Sequence, residues 1–168
     1  MKENIRANYQ SPLGTIFLTA DEKGLTELWF EEQKQNTGQP ETECDEQERP
    51  VLSEAKHWLD LYFSGREPDF TLPVHQEGTA FQKEVWEIVS RIPYGETTTY
   101  GAIARELAAR RGIPRMSAQA VGGAVGRNKI PILVPCHRVI GSDGSLVGYG
   151  GGIERKAALL ELEQKETS

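Results

Sequence analysis

The chain has 168 residues, of which 19 are basic and 25 acidic, so its formal net charge is −6. This length allows one ordinary domain or two small ones with a real hydrophobic core. The sequence contains no apolar stretch of membrane-spanning length, and its polar first residues do not resemble a secretory signal. We therefore expect a cytoplasmic protein that does not bind membranes.

The charge is unevenly distributed along the chain. Residues 1–78 carry 7 basic and 16 acidic side chains, a net charge of −9, whereas residues 88–156 carry 10 basic and 4 acidic ones, a net charge of +6. A basic segment in an otherwise acidic protein indicates a surface for a polyanion such as a nucleic acid. Scattered surface charge would give the same counts, so the asymmetry alone does not show that the protein binds a nucleic acid.

The first part of the chain reads as a small antiparallel meander followed by a helix. Turn residues separate three short runs with strand-forming patterns. The polar and acidic segment that follows predicts a mobile loop, and apolar residues at helical spacing then predict a helix. The predicted strands are 5–10, 13–20 and 24–30, the loop is 31–49, and the helix runs from Pro50 to Phe63.

A linker is expected at residues 66–78, which contain two prolines and a glycine. The sign of the charge changes directly after it. We therefore expect two domains, 1–73 and 79–168.

The second domain begins with helices that predict a helix-turn-helix motif. Thr79 and Gln82 have the spacing of a capping box before the first helix. A second helix is predicted from Tyr100 to Ala109, a basic turn follows, and Ser117 caps a third helix. Two helices joined by such a turn are typical of DNA-binding proteins, in which the second helix of the pair contacts DNA. A closing helix is predicted over residues 153–163.

The third helix of this domain, 118–126, contains three glycines. Each costs about 1 kcal/mol relative to alanine in a helix interior. Either the glycines allow close packing inside the protein, or they form a small-residue face that approaches a nucleic-acid groove.

The segment 134–140 places a thiol beside an imidazole, at Cys136 and His137, between strand-forming valine and isoleucine residues. Pro135 fixes the backbone and sets the direction of the cysteine. A nearby base is the usual way to generate the nucleophilic thiolate near neutral pH, although a free cysteine is often only a small buried hydrophobe. The three histidines lie far apart in sequence and there is no C-x-x-C pair, so we expect no metal and no cofactor.

The run 135–140, together with Ala120–Ala124 and Asn128 upstream and Gly148–Tyr149 downstream, resembles the methylated-DNA–protein-cysteine methyltransferases. These are also called O6-alkylguanine-DNA alkyltransferases. The likeness covers nearly all of 79–168, whereas 1–73 fits the family's N-terminal domain in outline. It implies an α+β fold, with a ribonuclease-H-like sheet and helix followed by a winged-helix-like alkyltransferase domain.

The resemblance implies direct reversal of DNA alkylation. The protein would bind double-stranded DNA from the minor groove and flip out O6-alkylguanine, or O4-alkylthymine. Cys136 would then attack the alkyl carbon and keep the group. Nothing in the chain regenerates a thioether, so each molecule, expected to be a monomer, would act once.

Individual roles follow from the same resemblance. His137 would take the thiol proton through a water, Glu163 would orient His137, and Tyr100 would donate to guanine N3. Asn128 would tie the recognition helix to the cysteine segment. The substrate base would meet main-chain carbonyls of Cys136 and Val139 and the N–H groups of Tyr149 and Gly150. The residues expected at DNA are Arg115, Ser117, Gln119, Ala120, Gly122, Gly123, Arg127 and Arg138.

Two positions depart from the family's pattern. Gln119 stands where the best-known members have an arginine that replaces the flipped base, and it has neither the charge nor the shape of arginine. Gly150 stands where a serine is frequent, so the loop keeps its N–H but lacks the hydroxyl. We expect a more flexible loop that admits larger alkyl groups.

Three other functions remain open from the sequence. An alkyltransferase-like sensor would bind alkylguanine without reacting, but such proteins have lost the cysteine. A Cys-His hydrolase would use the same nucleophile without needing a helix-turn-helix. A transcription factor would leave the Cys-His-Glu set unused.

Overall fold

The computed structural model describes residues 5–30, 42–43, 50–144 and 152–167. The chain divides into two compact units, residues 1–76 and 77–167. Both sheet and helix are present, which confirms the predicted α+β class.

The first unit contains a four-stranded sheet. Strands β1 (Ile5–Ser11), β2 (Gly14–Asp21) and β3 (Gly24–Phe30) form the predicted antiparallel meander. A short strand β4 (Thr42–Glu43) pairs in parallel with β1, so the order is β3-β2-β1-β4. β4 lies inside the segment predicted to be a loop, and the rest of that segment lies outside the described residues.

Helix α1 (Pro50–Phe63) packs on this sheet and has the predicted bounds. Its buried stripe follows the helical period, as expected for one apolar face. The core of the unit consists of that stripe and the inward residues of β2 and β3, namely Leu52, Ala55, Leu59, Tyr62, Ile16, Leu18, Leu25, Leu28 and Phe30.

Part of the predicted linker is bound to the first unit. Leu25 N–H donates to the Pro73 carbonyl at 3.0 Å, and His75 N–H donates to the Leu25 carbonyl at 2.7 Å. Gly24 has a φ of +148°, and a Cβ on it would lie 2.6 Å from the Pro73 carbonyl oxygen. Only glycine fits where the two backbones approach so closely.

The second unit is mainly helical. Its helices are α2 (Ala80–Ser90), α3 (Tyr100–Arg111), α4 (Ala118–Gly126) and α5 (Ile153–Thr167). The predicted capping box is present at α2, where Thr79 Oγ1 accepts from Gln82 N–H and Gln82 Oε1 accepts from Thr79 N–H, both at 3.0 Å. Among the described residues, no helix is long and apolar enough to cross a membrane.

Helix α4 packs against both α2 and α3, which gives the predicted helix-turn-helix pair its support. The Trp86 indole N–H on α2 donates to the Ala124 carbonyl on α4 at 2.9 Å in the interior. Two short strands, β5 (Thr98–Thr99) and β6 (Val139–Ile140), pair in parallel and join the start of α3 to the cysteine segment.

Candidate active site

Cys136 lies on a single turn of 3-10 helix, Cys136–Arg138, and not on the strand that its apolar neighbours suggested. Its N–H donates to the Val134 carbonyl at 2.7 Å, and the Arg138 N–H donates to the Pro135 carbonyl at 2.9 Å. The strand character is limited to the two residues of β6. The turn points three consecutive side chains in different directions, so the adjacent thiol and imidazole of the sequence need not face the same way.

Asn128 holds the segment before the cysteine. Its Nδ2 donates to the Val134 carbonyl at 2.8 Å, and its Oδ1 accepts from the Ile130 N–H at 3.0 Å. In between, Ile132 is buried with a φ of +75°, a strained conformation for a β-branched residue that the surrounding contacts must maintain. Asn128 comes after Arg127, which ends α4, so its hydrogen bonds join the end of that helix to the segment before the cysteine.

His137 and Glu163 form a completely buried pair, with Nε2 2.6 Å from Oε2. Burial alone would raise the pKa of Glu163, but hydrogen bonds from His137 and Arg138 lower it to about 2. An ionised carboxylate only accepts hydrogen bonds, so Nε2 of His137 must carry the hydrogen. Burial lowers the pKa of His137 more than Glu163 raises it.

The Cys136 thiol is free and only 8% exposed. Burial raises its pKa to about 11, against the opposing influence of an Asn128 hydrogen bond and the charge of Lys156. The resting protein therefore holds a protonated thiol at neutral pH, and a base is required to make it nucleophilic.

Lys156, which was not predicted as a site residue, is fully buried near Cys136. Its ammonium donates to the Val139 carbonyl at 2.7 Å. Burial lowers the pKa of Lys156, and the nearby Cys136 opposes that effect. The signal was present in the sequence, since Lys156, Leu159 and Glu163 share one stripe of α5 at helical spacing and all three are buried.

Tyr100 opens helix α3, which Thr99 caps by accepting from the Ala102 N–H at 3.0 Å. Burial raises the pKa of Tyr100, and the nearby Cys136 adds to this effect. The phenol therefore stays protonated at neutral pH and lies within electrostatic reach of the thiol. Tyr100 was predicted as a site residue only through the family resemblance, and its contact with guanine N3 stays a prediction.

Arg138 was predicted to contact DNA, and the structure contradicts this. It is 8% exposed, and its guanidinium donates to Glu163 Oε1 from Nε at 2.9 Å and to Oε2 from Nη2 at 3.0 Å. Nη1 donates to the Ile92 carbonyl at 2.7 Å. A guanidinium engaged in this way inside the protein cannot reach a phosphate.

Val139 was expected to offer its carbonyl to the substrate base. The residue is completely buried, and the carbonyl already accepts from Lys156. A carbonyl oxygen has two lone pairs, so this bond does not exclude the contact with the base, which stays a prediction. The other two residues predicted to meet the base, Tyr149 and Gly150, lie outside the described residues.

The remaining residues expected at DNA lie on or next to one exposed face of α4. A Cβ added at Gly123 would meet no atom within 4 Å, and one at Gly122 would come no closer than 3.7 Å to the Tyr100 ring. The glycines are therefore not required by packing inside the protein. The face comprises Gln119, Ala120, Gly122, Gly123 and Arg127, with Arg115 and Ser117 just before the helix; the Ser117 hydroxyl caps α4 by accepting from the Ala120 N–H at 3.0 Å.

Two arginines of the predicted basic turn are matched by carboxylates. Arg111 lies 2.7 Å from Glu84, and Arg110 lies 3.0 Å from Glu106 and 3.4 Å from Glu87. Glu84 and Glu87 precede the segment whose charge was counted as +6. That count therefore overstates the positive charge available for DNA.

A buried thiol that shares one turn with the histidine of a His-Glu pair, in a unit with a helix-turn-helix, is typical of DNA-binding proteins with a cysteine nucleophile. Comparison with known proteins narrows this class. The 6-O-methylguanine DNA methyltransferase DNA-binding domain matches residues 80–165, and the ribonuclease-like domain of the same family matches residues 4–76. The chain belongs to this family.

Individual relatives agree over almost the whole chain. A methylated-DNA–protein-cysteine methyltransferase of Methanosarcina acetivorans is 44% identical, covering 94% of this chain and 96% of its own. The constitutive enzyme of that name from Bacillus subtilis is 42% identical, covering 96% of both. The crystal structure of Mycobacterium tuberculosis OGT in complex with DNA superposes with a TM-score of 0.83 at 42% identity, covering 96% of this chain and 94% of that one.

Proposed function

We propose that this protein repairs DNA by transferring the alkyl group of O6-alkylguanine irreversibly to Cys136, once per molecule. The observation that carries the proposal is a free, buried Cys136 thiol on the same helical turn as His137, whose imidazole is paired with Glu163. The relatives are named for this reaction, and one structural neighbour was crystallised with DNA. The same chemistry would apply to O4-alkylthymine, and it needs no cofactor.

Proton transfer is the first chemical step, because a thiol with a pKa of about 11 is a poor nucleophile at neutral pH. His137 donates Nε2–H to Glu163, so its other nitrogen, Nδ1, is the one that can accept a proton. In the proposed step the Cys136 proton moves to His137, with a water as the carrier, and leaves a thiolate. Glu163 orients the imidazole and balances the charge that forms on it.

Alkyl transfer follows as an in-line displacement. The thiolate forms a bond to the alkyl carbon while the bond from that carbon to guanine O6 breaks, and guanine leaves with the electron pair. Tyr100 lies near Cys136 and is held protonated by burial, and in the proposed step its O–H donates to N3 of the leaving base. The products are S-alkylcysteine and guanine, and the proton released by the thiol ends on the base.

Binding to duplex DNA is assigned to the exposed face of α4. In a duplex the alkyl carbon lies inside the base stack, so the base must be extruded to reach a cysteine that is itself buried. Gln119 is exposed on α4 and would fill the gap in the stack, where its amide can hydrogen-bond the orphaned cytosine but cannot supply charge. We propose the cytoplasm as the compartment, because the thiol must stay reduced to react.

The decisive experiment combines mass spectrometry with matched DNA. The protein is incubated with a duplex that carries one O6-methylguanine and, separately, with the same duplex carrying guanine. We expect a single added methyl group on the Cys136 peptide, saturating at one per protein, only with the damaged duplex. Cys136→Ser should bind the damaged duplex and gain no mass.

Other outcomes identify the competing functions. Tight binding without any mass change would indicate a sensor, and turnover of ester substrates would indicate a hydrolase. Sequence-specific binding of undamaged DNA would indicate a transcription factor. If the protein neither binds the damaged duplex nor accepts a methyl group, the proposal is wrong.

A further inference from the structure

The proposed reaction gives no function to the buried Arg138 guanidinium. It makes a bidentate contact with Glu163, at 2.9 Å and 3.0 Å, and its third nitrogen donates to the Ile92 carbonyl at 2.7 Å. The group also lies over the Tyr94 ring, 5.6 Å from the ring centre. A guanidinium and a carboxylate joined by two hydrogen bonds hold each other in a fixed geometry, because both groups are planar.

Glu163 therefore accepts hydrogen bonds from two ionisable side chains, Arg138 and His137, with one negative charge. Oε1 accepts from Arg138 and, at 3.1 Å, from the Gly95 N–H, while Oε2 accepts from Arg138 and from His137. The permanent charge of Arg138 already balances the carboxylate. A protonated His137 would be a second cation on that carboxylate.

The surroundings of His137 also disfavour a cation. The imidazole is completely buried, and Nδ1 has no exposed surface. Both Arg138 and Lys156 lower its pKa in addition to the effect of burial, whereas Glu163 raises it. The charged and titratable groups around His137 and its partners are Cys136 and Arg138 on its own turn, Lys156 and Glu163 on α5, Tyr94 after α2, and Tyr100 on α3.

We propose that Arg138 is a positioning residue for alkyl transfer, which keeps His137 neutral and in its Nε2–H form by balancing the charge of Glu163. Nδ1 then carries the lone pair that takes the Cys136 proton. Without Arg138, the carboxylate would lose a permanent cation, so His137 would hold a second proton up to a higher pH. This inference rests on the proposed function, but it concerns a property of His137 that can be measured without any DNA.

The test compares wild-type protein with Arg138→Met and Arg138→Lys. Methionine removes the charge and keeps much of the volume, whereas lysine keeps the charge and loses the two-pronged contact. Nitrogen NMR of the labelled histidine rings reports both the protonation state and the tautomer of His137 during a pH titration. Single-turnover methyl transfer is measured over the same pH range.

We expect wild-type His137 to be neutral with hydrogen on Nε2 at pH 7. In Arg138→Met its titration midpoint should rise by at least one pH unit. The acid limb of the transfer rate should move by the same amount, which makes the reaction about tenfold slower on that limb. Arg138→Lys should keep a midpoint close to that of wild type even if its rate is lower.

An imidazolium at pH 7 in the wild-type protein would overturn the inference. So would an unchanged midpoint in Arg138→Met, or an equal shift in both variants, because a merely structural role would affect both. If Arg138→Met does not fold, the tautomer of His137 in the wild type and the His137 titration in Arg138→Lys still test the inference. Absence of methyl transfer in the wild type would refute the proposed function alone, since the NMR titration does not depend on it.

Discussion

Replacing Gly123 with alanine should make the protein more stable and a poorer DNA binder. Gly123 is an exposed residue inside α4, and a Cβ there would meet no atom within 4 Å. Nothing offsets the gain in helix propensity, which is about 1 kcal/mol for glycine to alanine in a helix interior. For a protein of this size such a gain raises the melting temperature by roughly 2–4 °C.

The expected loss of DNA affinity has a separate origin. If the face of α4 lies against the DNA groove, the added methyl group occupies space that the DNA needs. We expect affinity for a duplex carrying O6-methylguanine to fall at least tenfold, which corresponds to about 1.4 kcal/mol. Fluorescence anisotropy in a Cys136→Ser background measures binding at equilibrium because that variant cannot react.

Ala157→Gly is the matched control, because Ala157 is exposed on α5 and the substitution is the reverse of Gly123→Ala. It should lower stability by about 1 kcal/mol and leave DNA affinity unchanged. If Gly123→Ala binds DNA and transfers methyl as well as wild type, the small-residue face does not approach DNA. If Gly123→Ala lowers stability, the reasoning about packing is wrong.

Three further predictions concern charge. Lys156→Met removes a buried cation that lowers the pKa of the Cys136 thiol, so methyl transfer at neutral pH should slow by about tenfold or more. A pH–rate profile identical to that of wild type would contradict this. The pKa of Glu163 is lowered on folding from 4.5 to about 2, so the carboxylate contributes about 3 kcal/mol to the free energy of unfolding. This contribution is complete above pH 4.5 and is lost as the pH falls towards 2. Urea unfolding across that range should show the decline, and a free energy of unfolding that does not change with pH would refute it. Arg127 is exposed beside α4, so Arg127→Ala should weaken binding to damaged and undamaged duplexes alike. The slope of the logarithm of the binding constant against the logarithm of the salt concentration should fall in magnitude by about one. An unchanged slope would show that Arg127 does not contact a phosphate.

Local signals in the sequence predicted the helices and strands well. The capping residues Thr79 and Ser117 have the predicted hydrogen bonds, and α1 has the predicted bounds, because caps, turns and apolar periodicity depend on residues a few positions apart. Strand β5 was not predicted, and nor was its pairing with β6. Each has two residues, and the pairing depends on positions about forty residues apart, which no local pattern encodes.

The site was predictable to the extent that its chemistry is adjacent in sequence. Cys136 and His137 stand out together, whereas Glu163 was assigned only by family resemblance. Arg138 was misassigned because an arginine in a basic segment is ordinarily a surface residue, and its burial depends on a carboxylate 25 positions away. Lys156 was missed because its hydrogen-bond acceptor, the Val139 carbonyl, lies 17 positions away in the chain.

The buried charges also account for how the reaction must end. Arg138 and Lys156 are cations and Glu163 is an anion, so with a neutral thiol and imidazole the cluster has one excess positive charge. Moving the Cys136 proton to His137 separates charge inside the cluster without changing this total. Alkylation then removes the negative charge of the thiolate, and a retained imidazolium would raise the excess to two, which is costly in a buried site. The thiol's proton must therefore leave the cluster as the base departs, so the transfer of the alkyl group and the protonation of guanine are linked by the charge of the site.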